Sequence, residues 1–589
     1  MNDEATCNEG PPPNPASARL KAALLWSAVV IAVLALLAAR LDDPIIEHRP
    51  DFAMTMYFAL KQDIPVAGLA IALLAGLWFL VGRAPATAQP ALRLKGWQAW
   101  AVLVLPALAA YVLRAHILPD YDLSRDEQMV TFDAAIFSKG HLFEPIPSFW
   151  RNYYDALNKA FLLPIGDREA WVSGYLPGNA ALHALIGMVL PASAASPLLL
   201  LVAALALWRI TLRLWPDSAS TRAAVLLLFT TSSQVIVMAT ATYAMTAHLA
   251  LNLVWLALFL RRTPLAQAGA ILTGFVATGL HQPLFHPMFV APFLLMLLRN
   301  RAWKELSVYV VCYGAIGLFW IGWQPWISAH GVLPVPTDHS GDGVDYLERF
   351  RRTATPLTRF SFFVMAGNLL RLAAWNHLLL LPLAAIGIAV RRSDRFVQAL
   401  WLGMALLVVF MTLVLPAQVN GWGYRYLHGF LGSAVLLAGY GWHWLEREGA
   451  APVRAFVATA ALGILVILPL HVWMAKGQLG GYAEAARAAG RFDADMVVID
   501  EGIPFAGDLV LNRPDLSNRP IRLARNYVKP GDFPALCAHG TIAFADAPQF
   551  GAVSRFFRIP PPAAPTPRQV RLRTAAEAAG CRIVPSAPQ

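Results

Sequence analysis

Two adjacent carboxylates, Asp126 and Glu127, are the residues of this 589-residue chain best suited to acid–base chemistry. They follow Ser124 and open a helical pattern that ends near Gly140. A carboxylate within hydrogen-bond reach of a hydroxyl group can act as a general base and take its proton. Because neighbouring helical residues point about 100° apart, the two carboxylates cannot share one target.

Glu127 also has a structural explanation. Ser124 followed three residues later by Glu127 predicts a capping box, in which the hydroxyl accepts the amide of Glu127 and the carboxylate reaches back. Asp126 has no such obligation, and the positive end of the helix dipole favours its ionised form, so Asp126 is the preferred base. Asp122, Asp126 and Asp133 fall roughly on one helix face, and a solvated acidic face is the alternative interpretation of all three.

Long apolar runs on both sides must position this segment. The chain is 57% apolar and 14% charged, against about 45–50% and about 25% in ordinary globular proteins. A run of roughly 20 apolar residues crosses a bilayer, and such runs recur through most of the first 470 residues. We therefore expect an all-α polytopic membrane protein with about thirteen transmembrane helices. The predicted spans are 22–40, 64–82, 98–115, 195–212, 222–239, 246–260, 265–281, 284–298, 306–323, 373–390, 397–415, 428–444 and 453–472.

The distribution of basic residues predicts the orientation. The net charge is +11, but Lys and Arg lie in short clusters between apolar runs, which is typical of cytoplasmic loops and not of a nucleic-acid-binding face. With the N-terminus inside, every cytoplasmic connection is basic. Loops 116–178 and 324–372 and the C-terminus then lie outside. This count requires that the short apolar run 179–190 does not cross, as in a re-entrant or interfacial helix.

Acidic residues place the chemistry outside the bilayer. None of the 36 acidic residues lies well inside a predicted span, whereas ion-coupled carriers usually hold carboxylates near the midplane. A transporter or flippase is therefore the second choice. Nine acidic residues fall in loop 116–178 instead. They are Asp120, Asp122, Asp126, Glu127, Asp133, Glu144, Asp155, Asp167 and Glu169.

The order of several short motifs resembles the GT-C superfamily of membrane glycosyltransferases, which includes bacterial relatives of protein O-mannosyltransferases and aminoarabinose transferases. The resemblance covers about residues 98–445. Its motifs are the Asp126-Glu127 pair in a loop after a span, Tyr175-Leu176-Pro177-Gly178 before a short apolar helix, Thr242-Tyr243-Ala244-Met245 followed by His248, and Gly423-Tyr424-Arg425-Tyr426 at the start of a late span.

This resemblance implies transfer of a sugar from a polyprenyl-phosphate monosaccharide to a glycan, lipid or protein acceptor outside a bacterial plasma membrane. Asp126 would be the general base, with Glu127 beside it. Arg425 is the predicted ligand of the donor phosphate, since it is the only basic residue between Leu415 and the next predicted span. The alternative is an arginine that only anchors the helix at the membrane surface.

Further site residues follow from the same motifs. His281 and His286 flank a turn where many family members have an arginine, so histidine is a departure. They are predicted either to bind the lipid phosphate or to satisfy a helix junction. Tyr175, Tyr243 and His248 are the predicted substrate-binding residues.

No cofactor follows from these residues, although some GT-C enzymes use a divalent metal through a second acidic motif. The segment around His330, Asp338, His339, Asp342 and Asp345 has metal-compatible residue types. Its glycines are equally typical of a plain surface turn, so the metal remains an alternative.

The composition divides the chain into three parts: residues 1–97 with a cytoplasmic tail and two extra spans, the GT-C-like membrane domain 98–472, and an extracytoplasmic domain 473–589. Short apolar runs at 496–500, 509–511 and 541–544 predict strands of a small α/β domain. Cys537 and Cys581 are its only cysteines and are candidates for a disulfide in an oxidising compartment. The domain either positions the acceptor or covers the outer loops. A non-catalytic envelope scaffold is the third functional class.

Overall fold

A computed structural model describes residues 15–41, 57–81, 91–118, 120–122, 124–158, 161–329, 357–418, 420–502, 506–557, 560 and 562–585. The metal-compatible segment around His330 to Asp345 lies outside the described residues.

Long apolar helices dominate the fold. Within the described ranges, seven helices are long and apolar enough to cross a membrane, or eight if one bent pair forms a single span. This confirms a polytopic helical membrane protein, but the count of thirteen spans is not confirmed. The seven are Pro15–Leu41, Ala59–Leu80, Gly96–Ile117, Ala192–Leu214, Trp303–Ala329, Arg395–Val414 and Val453–Gly490. Shorter helices are Gly178–Gly187, Ala219–Thr230, Ser233–Met238, Ala244–Phe259, Pro264–Thr278, Phe285–Arg299 and Leu431–Arg447.

Two predicted spans are broken. The span 222–239 is divided because the Ser232 side chain accepts the amide of Val235 and starts a new helix. The span 373–390 is divided because helix Arg359–Trp375 and helix Leu380–Val390 meet at 102°. Both breaks fall at polar residues inside the predicted spans, at Thr230 to Gln234 and at Asn376-His377, which a hydropathy average over a whole span does not separate from the apolar residues around them.

One carboxylate lies inside an apolar helix, contrary to the sequence prediction. Asp63 belongs to the Ala59–Leu80 helix, whereas the predicted span begins after it. Its side chain is buried and accepts hydrogen bonds from Arg371 Nε at 2.9 Å and Trp375 Nε1 at 3.1 Å. The ion pair compensates a charge that would otherwise be costly to bury.

The loop after the Gly96–Ile117 helix is a folded unit. It contains the helix Arg125–Phe137, which we call the loop helix, and a three-stranded antiparallel sheet. Strand Ala170–Ser173 is central, between Glu144–Pro145 and Leu162–Ile165. Strands of two to four residues are too short to give a periodic pattern, and the sequence prediction missed them.

The C-terminal domain is a small α/β unit, as predicted. Its four parallel strands are, in spatial order, Ile521–Ala524, Met496–Ile499, Ile542–Ala545 and Ile583–Val584. Its helices are Phe533–His539, Gly551–Phe557 and Pro567–Ala578. Cys537 and Cys581 form a disulfide with their Cα atoms 4.9 Å apart.

The predicted strand at 509–511 is wrong, because Leu509 ends the 3₁₀ helix Ala506–Leu509, and this segment contacts the loop helix. Arg125 Nη2 donates to the carbonyls of Gly507 and Val510, each at 2.8 Å. Gln128 Nε2 donates to the carbonyl of Asp508 at 2.9 Å. The C-terminal domain therefore covers the loop, as one of the two predicted roles requires.

Candidate active site

Asp126 lies at the centre of a polar cluster assembled from distant parts of the chain. The Tyr175 hydroxyl donates to its Oδ1 at 2.6 Å, and Arg425 Nη1 donates to its Oδ2 at 3.0 Å. The Asp126 side chain is 19% exposed. The sequence indicated a side chain without a partner, and this is wrong: Asp126 is held on two sides.

A tight turn directs Arg425 toward Asp126. Gly421 and Gly423 both have positive φ angles, +118° and +62°, which side chains with a Cβ rarely adopt. A Cβ on Gly423 would also collide with the Gln234 side chain. Gln234 Nε2 donates to the Tyr424 carbonyl at 2.9 Å. These constraints fix the backbone from which Arg425 projects.

Arg425 is buried between two aromatic rings. Its guanidinium carbon lies 5.1 Å from the ring centre of Tyr243 and 4.9 Å from that of Tyr426. Its Nη2 donates to the Tyr426 hydroxyl at 3.0 Å, while its buried Nε has no hydrogen-bond partner among the described residues. An arginine that only anchors a helix would extend to the headgroups, so this geometry argues against the anchoring alternative.

The surroundings keep Asp126 ionised. Burial raises its pKa, but the charge of Arg425, the charge of His281 and the hydrogen bond from Tyr175 outweigh burial and lower the pKa below its usual value. The neighbouring cation thus compensates the desolvation of the carboxylate. Asp126 can accept a proton at neutral pH.

Glu127 has a structural role that differs from the predicted capping box. The Ser124 side chain does not cap the loop helix; its hydroxyl is hydrogen bonded to that of Tyr243 at 2.6 Å. Glu127 is buried, and its Oε1 accepts the Thr242 amide at 2.6 Å and the Thr242 hydroxyl at 3.2 Å. Tertiary partners replace the local cap. Glu127 therefore ties the loop helix to the Thr242-Tyr243 motif and points away from Asp126.

Asp122 and Asp133 are also engaged, so the solvated acidic face is wrong. Asp122 accepts Thr131 Oγ1 at 2.8 Å and lies 3.6 Å from Arg114 Nη2. Asp133 is buried against Ser173.

Of the predicted histidines, only His281 lies at the cluster. Its ring stacks on Tyr175 with centres 4.4 Å apart. Both ring nitrogens of His286 are hydrogen bonded elsewhere, to Asn252 Oδ1 at 2.7 Å and the Tyr313 hydroxyl at 2.8 Å, which favours the helix-junction alternative. His248 is buried against Phe285, and no hydrogen bond connects it to the cluster within the described ranges.

The chain is similar to two solved structures of ArnT from Cupriavidus metallidurans. The structure bound to undecaprenyl phosphate has 13% sequence identity and a TM-score of 0.48, with 79% of this chain and 89% of that chain covered. The apo structure has 13% identity and a TM-score of 0.44, with 79% and 90% covered. No protein-family model and no curated protein matches the sequence.

No group of three or more His, Cys, Asp or Glu side chains that could hold a metal occurs in the described ranges. The Asp126 cluster consists of one carboxylate, an arginine, tyrosines and a histidine, which suits anion binding and proton transfer.

Asp133 is a buried acid that the sequence did not single out from its neighbours. Ser173 donates both its amide, at 2.8 Å, and its hydroxyl, at 2.6 Å, to the Asp133 carboxylate. Burial nevertheless raises the pKa of Asp133 to about 7. The folded loop therefore holds a proton that the unfolded chain releases near its usual pKa of 3.8, and stability falls as pH rises from about 4 to about 7.

We expect Asp133→Asn to remove this dependence, because the amide stays neutral. The melting temperature of the variant minus that of the wild type should be higher at pH 8 than at pH 5. The corresponding change in stability between these two pH values is at most roughly 3 kcal/mol. Asp167→Asn, which changes an exposed carboxylate in the same loop, is the control. It should shift the melting temperature by the same amount at pH 5 and at pH 8. If Asp133→Asn also shifts the melting temperature equally at the two pH values, the raised pKa of Asp133 in the folded protein is wrong.

Proposed function

We propose that this protein is a GT-C type glycosyltransferase that moves a sugar from a polyprenyl-phosphate carrier to an acceptor outside the cytoplasm. The observation that carries the proposal is the contact between Asp126 and Arg425, which brings an ionised carboxylate and a cation together across 299 residues of sequence. Displacement at the anomeric carbon of a sugar phosphate needs both: a base for the incoming hydroxyl and a cation for the departing phosphate.

In the proposed reaction, the acceptor hydroxyl oxygen forms a bond to the anomeric carbon and its proton passes to Asp126. The bond between that carbon and the phosphate oxygen breaks, and its electron pair leaves with polyprenyl phosphate. Arg425 stabilises the negative charge that develops on this phosphate. Its buried Nε, which lacks a partner within the described residues, supplies a donor that the Asp126 pair does not use.

Binding of the sugar donor would also change the pKa of Asp126. Without donor, Arg425 and His281 lower the pKa of Asp126 despite its burial. A phosphate beside Arg425 places a second negative charge near Asp126 and compensates part of the same cation, which raises the pKa of the carboxylate. Asp126 is thus a stronger base when the sugar donor is bound.

The remaining residues position these two. Tyr175 orients Asp126 by hydrogen bonding, and His281 supports Tyr175 by stacking. Tyr243 lies against the Arg425 guanidinium, and Glu127 holds the backbone beside Tyr243 through Thr242. We assign substrate contact to Asp126 and Arg425, and positioning roles to Tyr175, Tyr243, His281 and Glu127.

Consumption of donor tests the proposal. Membranes that contain this protein and the acceptors of its natural host would be incubated with a panel of polyprenyl-phosphate monosaccharides carrying a radiolabelled sugar. We expect label from at least one donor to appear in a non-donor fraction, and much less without the protein. A carrier, a flippase or a scaffold would leave every donor chemically intact.

The proposed orientation places the Asp126 cluster and the C-terminal domain outside the cytoplasm of a bacterial plasma membrane. The arginine clusters between spans support this orientation. We expect alkaline phosphatase fused after Gln589 to be active in cells, and the same enzyme fused after Arg392, in a predicted cytoplasmic connection, to be inactive. The reverse result would place Asp126 and a periplasmic acceptor on opposite sides of the membrane.

A further inference from the structure

A crevice of about 1320 Å³ lies on the far side of the loop helix from Asp126. The end of the Gly96–Ile117 helix, the loop helix and the C-terminal domain form its walls. The loop helix contributes Gln128, Thr131 and Ala135, while Asp126, Tyr175 and Arg425 are not among the described lining residues. The crevice is therefore separate from the candidate active site.

Positive charge dominates the crevice. Seven lysine and arginine residues line it, against three aspartates. Two of the aspartates are already engaged: Asp122 by Arg114 and Thr131, and Asp515 by Lys139 at 3.1 Å. Asp120 is the third. An excess of four positive charges remains. Five of the cations come from the C-terminal part of the chain: Arg487, Arg491, Arg513, Arg519 and Arg522.

Several of these arginines have no compensating carboxylate. The side chains of Arg491 and Arg513 are exposed and make no hydrogen bond or ion pair with any described residue. Arg522 donates to the carbonyls of Leu509 and Ala486, at 3.0 and 3.1 Å, and these neutral acceptors hold the guanidinium without cancelling its charge. Guanidinium groups collected in this way are suited to bind phosphate oxygens.

The crevice also has an apolar edge at a membrane-spanning helix. Tyr111 and Val112, in the last turns of the Gly96–Ile117 helix, line it and are 40% and 53% exposed. An occupant can therefore place an anionic group among the arginines and an apolar part along the helix. Pockets for small ligands measure about 300–1000 Å³, so the crevice is large enough for a lipid headgroup.

We propose that this crevice binds the phosphorylated headgroup of a membrane lipid, with Arg491 and Arg513 contacting the phosphate and the acyl chains following the Gly96–Ile117 helix. The site is independent of the proposed sugar transfer, since it shares no residue with the Asp126 cluster and requires no reaction. Binding at the crevice would connect the C-terminal domain to the membrane surface.

The test measures binding of three probes to the full-length purified protein in an uncharged detergent at about 0.1 M salt. The probes are dioctanoyl phosphatidic acid, dioctanoyl phosphatidylcholine and inorganic phosphate. We expect phosphatidic acid to bind most tightly, and the double variant Arg491→Gln/Arg513→Gln to weaken its binding at least about tenfold, because two charge-assisted contacts are lost. Both side chains are exposed, so the fold should tolerate the changes.

The matched control is Arg571→Gln/Arg582→Gln, which removes two exposed arginines of the same domain that do not line the crevice. It should change the affinity for phosphatidic acid less than about twofold, since the attraction between the phosphate and distant exposed arginines is largely screened at about 0.1 M salt. Equal loss in both variants, or unchanged binding in the crevice variant, would overturn the site. Inorganic phosphate binding as tightly as phosphatidic acid would overturn the lipid as its occupant.

Discussion

Asp126→Asn should lower sugar transfer by about 10²–10⁴-fold, the usual cost of losing a general base. Asparagine keeps an oxygen that can accept from Tyr175 or Arg425, so the cluster should retain its shape while losing the group that takes the proton. The measurement is the initial rate of transfer with saturating donor, together with the melting temperature of the purified variant. The melting temperature should fall only moderately, because asparagine keeps a hydrogen-bond acceptor for Arg425 but removes the charge that compensates this buried cation.

Asp155→Asn is the matched control, because Asp155 is a carboxylate of the same loop paired with Arg168 at the surface. It should transfer sugar at nearly the wild-type rate. If Asp126→Asn does so as well, Asp126 is not the base. Glu127 is a poor substitute for the role, since Thr242 occupies its buried carboxylate.

Arg425→Lys should raise the KM for the polyprenyl-phosphate donor by about tenfold or more while leaving the KM for the acceptor nearly unchanged. Lysine keeps the positive charge but loses the planar set of donors that Arg425 divides between Asp126 and Tyr426. Arg425→Ala should be more severe and should also lower the melting temperature, because it leaves Asp126 largely buried without its cation.

Arg151→Lys provides the comparison for this substitution. Arg151 lies in the same loop, is partly exposed and lies 3.6 Å from Glu169, so its change should affect neither KM. An unchanged donor KM in Arg425→Lys and in Arg425→Ala would mean that Arg425 only supports the fold of the site.

The sequence predicts which residues belong to the candidate site better than it predicts which side chains they contact. Asp126, Tyr175, Tyr243, His281 and Arg425 are all predicted site residues, and the structure brings these five into one cluster. Their contacts join segments up to 299 residues apart, and no local pattern reports which side chains meet over such separations.

Local patterns failed where a tertiary partner replaced a local one. The spacing of Ser124 and Glu127 fits a capping box, yet Tyr243 and Thr242 are their actual partners. Asp133 is buried against Ser173, whereas Asp122 lies beside Arg114, and neither partner is visible in the sequence. The helix break at Ser232 differs, because it lies in five consecutive polar residues, Thr230 to Gln234, that the predicted span 222–239 passes over.

The position of bond cleavage tests glycosyl transfer most directly. A donor found to be consumed would be prepared with ¹⁸O in the oxygen that joins the anomeric carbon to the phosphate, and both products would be analysed by mass spectrometry. The proposed displacement breaks the carbon–oxygen bond, so all of the ¹⁸O should remain with the released polyprenyl phosphate. Finding ¹⁸O in the sugar product would mean that the phosphorus–oxygen bond breaks instead, and would contradict a reaction in which Asp126 activates a hydroxyl to attack the sugar.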